Sequence, residues 1–107
     1  MEKVWKKPDQ GVVKINFDAS PNGRKMSFGL VARDHDGFVL GGRAGNGLSW
    51  NLKPIVPACY LFAWAPRSCN KATDSLCKWA KALNCIKDFD RDYPIEIHDV
   101  ILIDAMN

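Results

Sequence analysis

Apolar and polar residues alternate over residues 12–18, close to the start of the chain. The apolar positions are Val13, Ile15 and Phe17, and the polar positions are Lys14, Asn16 and Asp18. A period of two residues is typical of a β-strand with one buried and one exposed face. Turn-forming residues follow at 20–24, so the pattern predicts a first strand that ends at Asp18.

Two further strands are predicted, at residues 26–33 and 38–43. The first of these places its apolar side chains on one face: Phe28, Leu30 and Ala32. Between the two lies Asp-His-Asp-Gly at 34–37, where Asp can cap a tight turn and Gly can adopt a positive φ. Residues 11–44 are therefore predicted to form a three-stranded antiparallel meander.

The second half of the chain predicts one more strand and a helix. Residues 45–57 are rich in Gly, Ser, Asn and Pro and predict a loop, whereas the apolar run at 58–65 predicts a buried strand. Apolar residues recur at helical spacing over 70–83, where Ser68 or Asn70 can cap the first turn. Residues 87–107 form an acidic and apolar tail, and periodicity does not decide whether its residues 93–104 form a strand or a short helix.

The length of 107 residues fits one domain of the α/β class, more closely an α+β arrangement with a mixed sheet. Residues 1–10 form a polar lead-in that Trp5 anchors to the domain edge, and residues 58–86 hold the last strand and the helix. No apolar run approaches the roughly 20 residues needed to cross a bilayer. The N-terminal residues do not resemble a signal peptide, so we expect an intracellular protein of the nucleus or cytoplasm.

Charge is unevenly distributed along the chain. Residues 1–86 carry 13 Lys/Arg against 6 Asp/Glu, whereas residues 87–107 carry 2 against 6. A basic body is compatible with a polyanionic partner, although an acidic tail on the same face would weaken such binding. The four cysteines form no C-x-x-C pair, so we expect reduced, packed thiols and no zinc site.

Three motifs follow one another along the chain. The first has the spacing W-x-x-P-x-x-G-x-x-K-x-N-x-D and is formed by Trp5, Pro8, Gly11, Lys14, Asn16 and Asp18. The second, G-x-x-x-R-D-x-x-G, spans residues 29–37, and residues 66–78 look like R-x-x-N-x-x-A-D-x-L-A-K. In this order they resemble type-1 ribonuclease H-like domains, in the retroelement-derived form abundant in plant genomes.

The resemblance implies cleavage of the RNA strand of an RNA–DNA hybrid by two Mg²⁺ ions, which four carboxylates hold. Asp18 matches the first of these carboxylates and Asp74 the last. The segment that should carry the other two is much shortened here, as by an internal deletion, and residues 26–67 hold no acid beyond Asp34 and Asp36. We therefore expect Asp18 and Asp74 to be remnants of the catalytic, metal-binding set that hold at most one Mg²⁺ weakly.

Polar residues near these two acids are candidate nucleic-acid contacts: Lys14, Asn16, Arg67, Asn70 and Lys71. A wider set of cations that could line a groove for a duplex adds Arg33, Arg43 and Lys78. A structural explanation stands beside each assignment. An exposed strand face explains Lys14 and Asn16 equally well, a helix cap explains Asn70, and the helix dipole explains Asp74.

Three hypotheses about function follow. The first is a ribonuclease H-like domain that is catalytically impaired and binds hybrid or duplex weakly. The second is an active Mg²⁺-dependent ribonuclease in which substitute acids, from Asp88, Asp90 or Asp92, join the site. The third is a truncated or splice product that acts, if at all, on a protein partner or on itself through an exposed apolar sheet face. None of the three needs a small-molecule cofactor or a membrane.

The shortened middle segment also makes two structural predictions. The last strand should pair directly with the first, because the strand that separates them in the family is absent. The apolar face of Val13, Ile15 and Phe17 should lose its usual helical cover. Either the apolar residues of the tail fold over that face, namely Ile95, Ile97, Val100 and Ile101, or the face stays partly exposed.

Overall fold

A computed structural model of the chain describes residues 4–47, 60–62, 70–83 and 86–106. Its elements, in chain order, are β1 (Val13–Asn22), β2 (Lys25–Arg33), β3 (Val39–Asn46), β4 (Tyr60–Phe62), α1 (Lys71–Ala80), β5 (Lys87–Phe89), a 3₁₀ turn (Ile95–Ile97) and α2 (His98–Ala105). The strands form one sheet in the order β4-β1-β2-β3-β5. The predicted α+β class is therefore confirmed.

The antiparallel meander of β1, β2 and β3 is confirmed, but β1 is longer than predicted. It continues past Asp18 to Asn22, which pairs with Lys25. The chain reverses within the two intervening residues, where Gly23 has a φ of +64°. A turn this short leaves Ser20 and its neighbours in the strand ladder, so their turn-like composition does not end the strand.

The tight turn at residues 34–37 is confirmed in detail. The Asp34 carboxylate accepts hydrogen bonds from the backbone N–H groups of Asp36 and Phe38, both at 2.9 Å. Gly37 has a φ of +86° and donates its N–H to the carbonyl of Asp34. Side-chain capping and a left-handed glycine thus join β2 to β3.

The later elements agree only partly with expectation. β4 runs parallel to β1 and directly beside it, as predicted for the last strand. β5 was not predicted; it is three residues long and pairs antiparallel with β3 at the opposite edge of the sheet. Residues 93–104, for which strand and helix were both open, form the 3₁₀ turn and most of α2.

Apolar residues are buried on both faces of the sheet. On one face α1 and the tail cover β2 and β3, in a cluster that includes Val31, Ala44, Leu76, Ile97 and Ile101. On the other face Val13 and Ile15 pack with Leu30 and Ala32. Because Ile97 and Ile101 belong to the first cluster, the tail does not cover the face of Val13 and Ile15.

The expectation of an exposed apolar sheet face is also wrong for its first two residues. Val13 and Ile15 are 7% and 0% exposed, and Phe17 is half-buried. Trp5 is 1% exposed, which confirms its predicted role as an anchor. Neither helix in the described ranges is long and apolar enough to span a membrane.

Candidate functional site

Asp18 lies on the face of β1 that α1 covers. Side chains alternate along a strand, so Asp18 shares a face with Asn16 and Ser20. The Ser20 hydroxyl lies 3.4 Å from the Cys77 thiol of α1, which identifies this face as the one toward the helix. Asp18 also lies opposite Gly29 in the ladder, and the missing side chain of Gly29 makes room for α1.

Asp74 lies on the turn of α1 that faces this part of β1. Asn70, one turn earlier, donates its amide N–H to the carbonyl of Phe17 at 3.0 Å. Cys77, one turn later, reaches Ser20. Residues at i, i+4 and i+7 share one helical face, so Asp74 lies between Asn70 and Cys77 on α1. These two residues contact Phe17 and Ser20, which lie on either side of Asp18 in β1. The two predicted remnants therefore lie on the same side of the sheet, on neighbouring elements.

The chemistry available to these two acids is limited. An Asp18 carboxylate oxygen accepts a 3.0 Å hydrogen bond from the N–H of Ala19, and Asp74 forms a 3.1 Å ion pair with Lys78. The described residues contain no group of three or more His, Cys, Asp or Glu side chains that could hold a metal ion. Among the acidic residues of the sequence, Glu2 alone lies outside the described ranges. Asp18 and Asp74 supply two carboxylate groups, and each Mg²⁺ ion prefers an octahedral set of oxygen ligands.

The substitute acid Asp88 lies far from this pair. It belongs to β5, three strand spacings or roughly 14 Å from β1. Its carboxylate forms a two-point ion pair with Arg43, whose ladder partner is Leu30 of the cluster on the face away from α1. Asp90 and Asp92 follow β5 at the same edge. The hypothesis that substitute acids complete the site with Asp18 is therefore wrong for Asp88.

Asn16 was predicted as a nucleic-acid contact or as part of an exposed strand face, and the structure contradicts both. Its side chain is fully buried, and its amide oxygen accepts a 2.9 Å hydrogen bond from the indole N–H of Trp5. The lead-in covers this part of β1, so Asn16 cannot reach a phosphate. Its role is to bind Trp5 to the sheet.

Arg33 and Arg43 were predicted to line a groove, and both are instead buried in ion pairs. Arg33 is 0% exposed, bonds to Asp104 and stacks with its Cζ atom 3.8 Å from the Trp5 ring centroid. Burial lowers the pKa of Arg33, although Asp104 acts in the opposite direction. The hydrogen bond that Arg43 donates to the Asp88 carboxylate raises the pKa of Arg43. Neither guanidinium offers a surface charge to a polyanion.

The remaining candidates have mixed outcomes. The Lys14 ammonium donates to the carbonyl of Lys6 at 2.9 Å and lies 5.3 Å from the Trp5 ring centroid, so it holds the lead-in. Asn70 occupies the N-cap position of α1 but forms no side-chain cap bond, because its amide is directed to Phe17. Arg67 lies outside the described residues.

Exposed lysines follow one face of α1. Lys71, Lys78 and Lys81 are all exposed and fall at i, i+7 and i+10, with Asp74 between the first two. We call these three residues the α1 lysine row. Lys81 was missed by the sequence reasoning, although its helical spacing from Lys71 and Lys78 was a usable signal. At 1.5 Å per residue the row spans roughly 15 Å.

Acidic residues of the tail lie on the same side of the sheet. The 3₁₀ turn and α2 pack against α1 through Ile97 and Ile101. Asp92, Glu96 and Asp99 in and around these elements are exposed. Their charge is opposite in sign to that of the α1 lysine row.

Comparison of the chain with protein-family models, with curated proteins and with solved structures found no match. Interpretation of the site therefore depends on its motifs and its geometry.

Proposed function

We propose that this chain is a ribonuclease H-like nucleic-acid-binding domain that has lost hydrolytic activity. The observation that carries the proposal is the position of Asp18 on β1 opposite Asp74 on α1, between the contacts of Asn70 and Cys77. Each of the three motifs contributes a residue to this part of the fold, namely Asp18, Gly29 and Asp74. The parallel pairing of β4 with β1 also supports the proposal, because a domain of this type with a shortened middle would bring its last strand there.

The loss of hydrolysis follows from the ligand count. Two carboxylates, one of them paired with Lys78, cannot clamp two Mg²⁺ ions on a scissile phosphate. Each missing electrostatic element of this kind costs on the order of 10²–10³ in rate. No catalytic step is therefore assigned to the described residues.

Binding is assigned to the α1 lysine row. Lysines on one helical face can contact successive backbone phosphates without reading the sequence of the bases. Three such contacts predict that affinity falls about 20- to 40-fold between about 50 and 200 mM salt. The acidic tail beside α1 keeps the affinity low.

Fluorescence anisotropy with a labelled RNA–DNA hybrid tests the binding. The triple variant Lys71→Ala, Lys78→Ala, Lys81→Ala should lose the salt-dependent binding. A matched triple variant at exposed lysines elsewhere, Lys7, Lys25 and Lys87, carries the same net charge and should retain most of it. Equal loss in both triples would show attraction by net charge alone and contradict the assignment.

A gel assay of the same hybrid with Mg²⁺ tests the lost chemistry. The natural chain and Asp18→Asn should both leave the RNA strand intact. Cleavage by the natural chain that Asp18→Asn abolishes would show that the site is active and would overturn the proposal.

A further inference from the structure

A groove with a volume of about 280 Å³ lies between the start of β3 and α2. Val39 and Ile101 line its floor and are 4% and 3% exposed, and Leu40 and Tyr93 line its walls. We call it the α2 groove. Its lining is mainly apolar, and its volume suffices for one large side chain.

Large apolar side chains at the rim of this groove are exposed to solvent. Phe38 is 63% exposed and Leu102 is 50% exposed, and both line the groove. Met106, just after α2, is 85% exposed. Of the two acids in α2, Asp104 is directed inward to Arg33, so Asp99 is the only charged side chain that α2 presents to water. An apolar surface of this kind is typical of an interaction site.

Two opposite charges flank the groove. Asp34 lies on one part of its lining and Arg91 on another. Within the described residues Arg91 forms no ion pair, so its charge is available to a partner. One face of the molecule thus carries a groove, an apolar side chain of a size to fill it, and a charge of each sign.

We propose that the occupant of the α2 groove is a second copy of this chain, related by a two-fold axis. A two-fold interface brings the same patch of both copies together, so the patch must complement itself. Here Phe38 of each copy enters the groove of the other, and Arg91 of each copy faces Asp34 of the other. A partner of unrelated sequence would have to supply both features; a second copy already contains them.

This inference differs from the expected self-association through the sheet, because Val13 and Ile15 of that face are buried. It also does not depend on the proposed nucleic-acid binding. The patch consists of one groove and a few exposed side chains, so the interface is at the small end of specific contacts. Association with a Kd on the order of 10–100 μM is expected.

Sedimentation equilibrium of the 107-residue chain over about 5–500 μM, a range that brackets this Kd, measures the association. The mass should rise from 12.0 kDa toward twice that value and no further. Phe38→Asp and Leu102→Asp should each weaken association at least about tenfold, because each buries a charge in an apolar contact. Arg91→Glu should weaken it less and reverse its salt dependence, because the new carboxylate repels Asp34 of the other copy and added salt screens that repulsion. Circular dichroism checks that each variant is folded.

Ile86→Asp is the matched control. Ile86 is an exposed apolar residue near Gly47, at the far end of β3 from the groove, and its replacement should leave association unchanged. A chain that stays monomeric throughout the range overturns the proposal. A dimer that Phe38→Asp does not weaken, or a mass that continues beyond two copies, overturns it as well.

Discussion

Arg33 and Asp104 are 71 residues apart in the chain and form a buried ion pair, with 2.7 Å between Nη1 and Oδ2. The pair joins the end of β2 to α2. Trp5 stacks on the other side of the guanidinium and thereby brings the lead-in to the same point. Residues near both ends of the described chain thus contact the sheet through the Arg33 side chain.

Removal of one partner of this pair should substantially lower the free energy of unfolding. Asp104→Ala leaves Arg33 charged and fully buried, so we expect the free energy of unfolding to fall by about 3 kcal/mol. Urea unfolding measures the loss. Asp99→Ala, on the exposed face of the same helix, should cost less than about 1 kcal/mol.

The double variant Arg33→Met, Asp104→Leu separates burial from pairing. Replacing both charges by apolar groups of similar size removes the unpaired charge, so stability should recover to near that of the natural chain. A double variant as unstable as Asp104→Ala would contradict this account of the pair.

The ion pair of Arg43 with Asp88 should appear in the acid stability of the chain. The hydrogen bond from Arg43 lowers the pKa of Asp88 below its ordinary value of 3.8. A carboxylate whose pKa is lower in the folded state adds stability above its unfolded pKa and loses it as the pH falls through the folded pKa. Asp88→Asn should therefore flatten the stability loss below pH 4, by at most about 1 kcal/mol because the carboxylate is half exposed.

Stability curves against pH for a double-mutant cycle check this prediction. In an Arg43→Gln background, Asp88→Asn should leave the acid slope unchanged, because the interaction that lowers the pKa is already gone. The same flattening in both backgrounds would assign the effect to charge elsewhere in the protein.

Gly29 permits the close approach of α1 to the sheet. A Cβ atom at this position would lie 2.5 Å from Cβ of Leu76 and 2.8 Å from the carbonyl oxygen of Thr73. Gly29→Ala should therefore destabilise the fold by about 2 kcal/mol, because the helix must move outward. Gly23→Ala is the control: its φ of +64° is unfavourable for alanine but no atom lies within 4 Å, and about 1 kcal/mol is expected. Thermal unfolding of both variants would show the difference, and an equal loss would contradict it.

Asn16 should contribute to stability and not to binding. Asn16→Ala removes the acceptor of the Trp5 indole N–H in a buried position, so about 1–3 kcal/mol of stability should be lost. Anisotropy measured well below the melting temperature of the variant should give an affinity for hybrid within about twofold of the natural chain, because a side chain buried in this way makes no phosphate contact. A large loss of affinity in folded Asn16→Ala would place Asn16 at the interface after all.

Patterns among neighbouring residues were sufficient to predict much of the fold of the first half of the chain. The alternation at Val13, Ile15 and Phe17 and the turn at 34–37 depend on neighbours in the sequence, and both elements form, although the strand continues past its predicted end. The positions of Asp18 and Asp74 on a strand and a helix were also accessible, because each lies in a segment with a clear period. β5 was missed, since three residues carry no measurable period and the strand exists only through its pairing with β3.

The surface of the candidate site could not be predicted in the same way. The sequence by itself determined the meander, the helix and the two acids, because hydrophobic period and turn chemistry are local properties. Only the tertiary structure decided that Asn16, Arg33 and Arg43 are buried and that the α1 lysine row is exposed. The polar face of β1 resembles a solvent face in the sequence, but Trp5 and α1 cover it from distant parts of the chain. Burial is a property of such long-range contacts, and polar residues accept it where they find a partner, as Arg33 does in Asp104.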